Sequence, residues 1–146
     1  MHTLILGLGN LLLSDEGVGV HVARALAERE LPPDVSVVEA GTAFLDVLPD
    51  IEKADRIVLI DAMEGGGTPG DVYRVPFDQC VHPAMLASLH GFDMSRVLFM
   101  AGNTRAPEVT VFGVEPALIE WGTELSPAVQ RMVPAVEKAI LNELAQ

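Results

Sequence analysis

Cysteine, aromatic rings and positive charge are all scarce in this sequence, and each shortage closes off a class of protein. Cys80 is the single cysteine among 146 residues. No disulfide can form within the chain, which suits a reducing compartment. Aromatic residues make up 5%, so the core has to be built from Val, Leu, Ile, Ala and Met. Nine Lys and Arg stand against 21 Asp and Glu, giving a formal net charge of −12. Such a surface repels phosphate backbones and anionic headgroups, so neither nucleic acid nor a membrane is an expected partner. A partner with a cationic contact surface is compatible, although the acid surplus also has a plain use in solubility. The apolar stretch at residues 4–13 is too short to span a bilayer, and no Lys or Arg precedes it as a signal peptide would require. A cytoplasmic protein is therefore expected.

What is present is enough apolar material for a real core. Hydrophobic residues reach 49% and charged residues 21%, which argues against disorder and fits one domain over residues 1–146. Residues 3–7 form a continuous apolar run ended by Gly7-Leu-Gly-Asn10, the pattern of a buried parallel strand. A helix is expected over about residues 15–29, with Ser14 as N-cap, Val18, Val22, Ala25 and Leu26 on its apolar face, and Pro32-Pro33 as its stop. Strands follow at 35–39 and 57–61, with an irregular helix over 43–53 between them because of Pro49. The turn-rich Glu64-Gly-Gly-Gly-Thr-Pro-Gly70 leads to a fourth strand at 71–75. That connection is too short for a helical crossover, so the fourth strand should run antiparallel at an edge. Residues 77–90 read as irregular, 92–102 as a helix, 108–114 as a fifth strand, and 127–144 as a C-terminal helix that Pro134 should kink or divide.

This alternation predicts a three-layer α/β/α sandwich around a mostly parallel five-stranded sheet with one antiparallel edge strand. Right-handed crossovers put the first strand between the second and the third. The loops after strands one and three then diverge at a switch point, where ligands of such sheets bind.

Acids stand at both places. The loop after the first strand leads to Asp15-Glu16-Gly17, and the third strand ends in Asp61. His90 precedes a helix whose start can reach the same edge. Two carboxylates and an imidazole are a suitable ligand set for a borderline divalent ion such as Ni²⁺ or Zn²⁺. Each also has a bland explanation. Glu16 in a first helical turn would favour the helix dipole, Asp61 at a strand end could bind a loop amide, and a lone His is more often a packed or surface residue. The segment Gly65-Gly66-Gly67 reads as a loose turn more readily than as a mobile lid beside Asp61.

The run Gly7-Leu-Gly-Asn-Leu-Leu-Leu-Ser-Asp-Glu-Gly-Val-Gly19 resembles the N-terminal signature of the hydrogenase maturation endopeptidases. The likeness continues through Glu39-Ala-Gly-Thr42, Ile60-Asp-Ala62, Pro69-Gly70, Ser88-Leu-His90 and residues 109–115, in order over nearly the whole chain. The first motif is the specific one. The resemblance implies a three-layer α/β fold and an endopeptidase that removes the C-terminal extension of the nickel-loaded large-subunit precursor of a [NiFe]-hydrogenase. It implies Glu16, Asp61 and His90 as the catalytic and metal-contacting residues, with the nickel ion supplied by the precursor. One departure is that Glu39-Ala40 stands where the family often has an Asp-Gly-Gly-Thr-like segment, so an acid there is one methylene longer. The oligomeric state is not fixed by the sequence, and a monomer is the working expectation.

Rival readings are weaker. Gly7-x-Gly9 after a strand, with Glu39 ending the next, has some likeness to a dinucleotide-binding motif. Leu12 stands where a third glycine is wanted, and the helix begins too late. A non-catalytic nickel carrier would use the same ligands as the protease. No Gly-x-Ser-x-Gly elbow and no His-Glu-x-x-His motif occurs, and Cys80 with His82 lacks an orienting partner.

Overall fold

Residues 1–42, 44–77 and 107–146 are described by the computed structural model. The helix expected at 92–102, the irregular residues 78–90 and the candidates Cys80, His82 and His90 lie outside the described residues. Strand β1 is Thr3–Leu8, helix α1 is Val18–Ala27, β2 is Val35–Gly41, α2 is Leu48–Lys53, β3 is Arg56–Ala62, β4 is Val72–Pro76 and β5 is Glu108–Val114. Two C-terminal helices follow, α3 at Pro127–Gln130 and α4 at Val133–Leu144. Pro134 sits in the first turn of α4, so it divides the expected helix and does not merely bend it. Its ring fits a helix start, where no amide donor is needed. Pro49 occupies the same position in α2, after a 3₁₀ turn at Phe44–Val47.

The sheet runs in the order β2-β1-β3-β5-β4. β1 pairs in parallel with β2 and β3, β3 pairs in parallel with β5, and β4 is the antiparallel edge strand beside β5. The first strand thus lies between the second and third, as the handedness rule requires. Alternate residues supply two cores. Leu4, Leu6, Leu8, Ile57 and Leu59 face the side that holds Val47 and Ile51. Ile5, Val58, Ile60 and Phe112 face the side covered by Val18, Val22 and Leu26 of α1 and Val136 and Ile140 of α4. Each fully buried side chain of this size contributes roughly 1.5–3 kcal/mol relative to exposure. Phe112 is the largest of the fully buried side chains, while Tyr73 and Phe77 pack, partly buried, against the opposite core.

The start of α1 departs from expectation. Residues Ser14–Gly17 form a 3₁₀ turn, the helix proper begins at Val18 with Gly17 before it, and no side chain caps it. Ser14 is therefore not the N-cap. It has a positive φ of 50°, a conformation that costs a residue with a Cβ about 1 kcal/mol or more. The amide of Ser14 donates to the Gly122 carbonyl at 2.8 Å, which holds the turn in that shape.

Candidate active site at the carboxyl edge of the sheet

Glycines let the segment that carries Glu16 settle onto the carbonyl ends of β1 and β3, where Asp61 lies. A Cβ on Gly19 would collide with the carbonyl oxygens of Ile60 and Leu8, and a Cβ on Gly9 with that of Glu16. Gly9 also has a φ of 123°, open to glycine alone. The first turn of α1 therefore rests directly on the carbonyl ends of β1 and β3. The 3₁₀ turn that carries Glu16 packs against β3, and Asp61 is the penultimate residue of that strand.

The two carboxylates are held differently. Asp61 is fully buried, and its Oδ1 accepts a hydrogen bond from the Ala62 amide at 2.8 Å, which fixes its direction. Glu16 is 8% exposed, and burial raises its pKa above the usual carboxylate value. No hydrogen bond or ion pair to its carboxylate exists among the described residues. A partly desolvated carboxylate without a cation or donor beside it is unfavourable, and groups whose pKa is raised in this way gather at functional sites. The dipole explanation of Glu16 weakens, because the residue lies ahead of α1 in a 3₁₀ turn and not in a first α-helical turn. With His90 outside the described residues, no group of three His, Cys, Asp or Glu able to hold a metal occurs among them.

Two acids matter here that sequence reasoning missed. Asp15, with no exposed surface, accepts four hydrogen bonds. The Ala117 and Leu118 amides and the Ser126 hydroxyl donate to Oδ2 at 2.9, 2.9 and 2.8 Å, and the Ser126 amide donates to Oδ1 at 2.8 Å. It pins the segment after β5 to the turn that carries Glu16. Glu115 does the same for the glycine-rich segment. Its Oε1 accepts from the Gly65 and Gly67 amides at 3.0 and 2.8 Å and from the Tyr73 hydroxyl at 2.7 Å. That bond to Glu115 raises the Tyr73 pKa. A Cβ on Gly65 or Gly67 would strike the Tyr73 side chain. Residues 65–67 are thus a tethered turn, neither loose nor a lid. No local signal marks Asp15 or Glu115, because their partners lie far along the chain.

Beside β1 and β2 the same edge opens into a cleft of about 190 Å³ lined by Gly9, Asn10, Glu39, Gly41 and Thr42 among others. Glu39 is exposed at its rim and pairs with Arg24 at 2.8 Å. The dinucleotide reading loses ground, since α1 starts at Val18, well past Gly9, and the near-buried acid Glu16 lies between.

Comparison with known proteins agrees with this geometry. A family model described as hydrogenase maturation protease matches residues 20–143. The hydrogenase 2 maturation protease of Escherichia coli is 32% identical over 96% of this chain and 89% of its own length. The hydrogenase expression/formation protein HupD of Thiocapsa roseopersicina is 35% identical over 98% of this chain and 67% of its own. Among solved structures, the hydrogenase maturating endopeptidase HybD from E. coli superposes with a TM-score of 0.84 at 29% identity, covering 99% of this chain and 93% of that one. The [NiFe] hydrogenase maturation protease HybD from Thermococcus kodakarensis gives 0.82 at 30% identity with both chains fully covered. With the family model spanning most of the chain, and the sheet order and the acid-bearing edge in place, the chain belongs to the hydrogenase maturation proteases, a family of peptide-bond hydrolases.

Proposed function

We propose that this protein removes the C-terminal extension from the nickel-loaded large-subunit precursor of a [NiFe]-hydrogenase, and that Glu16, Asp61 and His90 meet the precursor's nickel. The observation that carries this reading is the state of Glu16, a carboxylate nearly buried, raised in pKa by burial, and unpaired among the described residues. A divalent cation delivered by the substrate supplies the missing partner. Asp61, oriented by the Ala62 amide, stands at the same edge, and an imidazole completes a set suited to nickel. The nickel is on this reading part of the substrate, and it holds the precursor's tail at the edge. Water activated by the metal or by one of these acids then attacks the scissile carbonyl. A precursor without metal offers the three groups nothing to hold and binds poorly. The protein acts as one domain and as a monomer. It works in the cytoplasm, in keeping with its single cysteine and with the lack, among the described residues, of any helix long and apolar enough to cross a membrane.

The test is a cleavage assay read by mass spectrometry, with large-subunit precursors offered with and without nickel. Loss of a short C-terminal peptide from the nickel-loaded form alone is the expected result, and Glu16→Ala should abolish it while leaving the circular dichroism spectrum unchanged. Tight binding without any mass change would replace the protease with a nickel carrier. Normal cutting by folded Glu16→Ala would remove Glu16 from the site.

A further inference from the structure

Five large hydrophobic residues are exposed among the described residues, and four of them, Leu12, Leu118, Ile119 and Trp121, lie on two adjoining segments. The Gly122 amide donates to the Leu12 carbonyl at 2.9 Å, the Ser14 amide to the Gly122 carbonyl at 2.8 Å, and the Asp15 amide to the Leu118 carbonyl at 3.0 Å. Leu13 and Gly122 form a parallel bridge. Beneath them the buried Asp15 carboxylate binds the amides of Ala117, Leu118 and Ser126. Residues 117–121 are thus all exposed, yet they are fixed from below by a fully buried acid. Trp121 is 81% exposed on a segment braced in this way, so its exposure is built in and is not the wandering of a loose end. Clustered apolar exposure of this kind marks an interaction surface, and tryptophan is enriched among residues that anchor interfaces. Glu120 and Glu124 flank the ridge, are exposed, and have no cation partner among the described residues. The ridge also adjoins the turn that carries Glu16.

We propose that this ridge is the docking surface for the folded body of the precursor protein, which meets it with an apolar patch rimmed by Lys and Arg. The inference rests on the protease reading given above, and it assigns recognition of the precursor's body to a surface separate from the acids that meet its metal. The unpaired Glu120 and Glu124 select a basic rim on the partner, and the net charge of −12 steers such a partner from a distance. A second copy of this chain is a poorer match, because it would set the same acids against each other.

The test measures processing of nickel-loaded precursor against its concentration for wild type, for Leu118→Ser/Trp121→Ser and for Trp121→Lys, which plants a cation against the cationic rim. The expected result is a rise of about tenfold in half-saturating precursor, the loss of one interface anchor, with the maximal rate within about twofold of wild type. A second measurement needs no variant. Trp121 is the only tryptophan, so growth on 5-fluorotryptophan gives a single ¹⁹F resonance. It should shift or broaden with the precursor and stay still with the isolated tail peptide. If wild type cuts the precursor while both variants keep its half-saturation and the resonance does not move, the ridge is not the docking surface. A wild-type dimer in sedimentation that Trp121→Lys dissociates would make it a self-contact and overturn the proposal. If wild type cuts no precursor at all, the protease reading fails and this inference falls with it.

Discussion

Glu143, in the last turn of α4, sits between Arg56 at the amino end of β3 and Arg74 of the edge strand, with contacts of 3.2 and 2.6 Å, whereas Glu16 at the carboxyl edge is similarly buried and meets no cation or donor among the described residues. The contrast extends to their protons. The bond from Arg74, helped by Arg56, lowers the pKa of Glu143 in spite of its burial, while burial alone raises that of Glu16. Near Glu143 other charges are matched too, with Arg29 on Glu137 at 2.5 Å and the His2 amide on Asp55 at 2.8 Å. One end of the molecule spends its acids on tying elements together, the last helix to β3 and β4 through Glu143 and to the chain after α1 through Glu137, and the start of β1 to Asp55. The other fixes two acids, Asp15 and Glu115, with backbone donors and leaves a third in need of a partner. Buried acids alone therefore do not identify a site; what distinguishes Glu16 is that no cation or donor among the described residues compensates it.

The sharpest way to break this comparison is Asp15→Ala, which leaves the Ser126 amide and hydroxyl and two further amides without their acceptor. A loss of about 3 kcal/mol or more is expected in urea unfolding, with cutting lost as the segment over residues 117–126 comes away from the Glu16 turn. Glu143→Ala should cost about 2 kcal/mol, less than a fully buried pair would because Arg74 keeps water around it. Cutting by the folded fraction should be unchanged. If Glu143→Ala impaired cutting as severely as Asp15→Ala does, the two ends would not be functionally distinct. Glu16→Gln should move stability the other way. It removes a charge that the fold does not compensate, so the melting temperature should rise by a few degrees while cutting is abolished. A lower melting temperature would mean that the carboxylate is satisfied after all.

The smallest effect concerns His21, on α1 and bonded to the backbone of Thr123. Burial, with a contribution from Arg24, holds its pKa below the ordinary histidine value, against the opposite pull of the Thr123 bond, and its Nε2 is buried without a partner. The unfolded chain then takes up a proton near pH 6.5 that the folded chain still refuses. Stability should fall as the pH drops below that value, ahead of any loss at Glu143, whose lowered pKa places its contribution in more acid solution. His21→Gln should flatten the decline between pH 6.5 and the lower folded value in urea titrations.

The place of β1 between β2 and β3, the antiparallel edge strand and the interruption at Pro134 were legible in the sequence because each follows from a local pattern, a handedness rule or connection length; the insertion of β5 between β3 and β4 was not. Asp61 was legible as an acid at a strand end. Glu16 was marked by its place in the loop after β1, and more sharply by resemblance to a known signature. The uses of Asp15 and Glu115 were hidden. The partners of Asp15 lie 102 to 111 residues away and those of Glu115 42 to 50, and no periodicity reports such bonds. The positive φ of Ser14 was hidden for the same reason, since it follows from the Gly122 carbonyl that receives its amide. Ser14 in isolation reads as a cap.

The bond from Ser126 to Asp15 also orders events in time. A ribosome supplies Glu16 and Asp61 early, and a parallel β1–β3 pair can form before the end of the chain exists. The turn that presents Glu16 reaches its final shape only after residues 117–126 have been made and the chain has closed a loop of more than a hundred residues, a slow kind of step for a folding chain. The edge that carries Glu16 is therefore among the last parts of the fold to be completed.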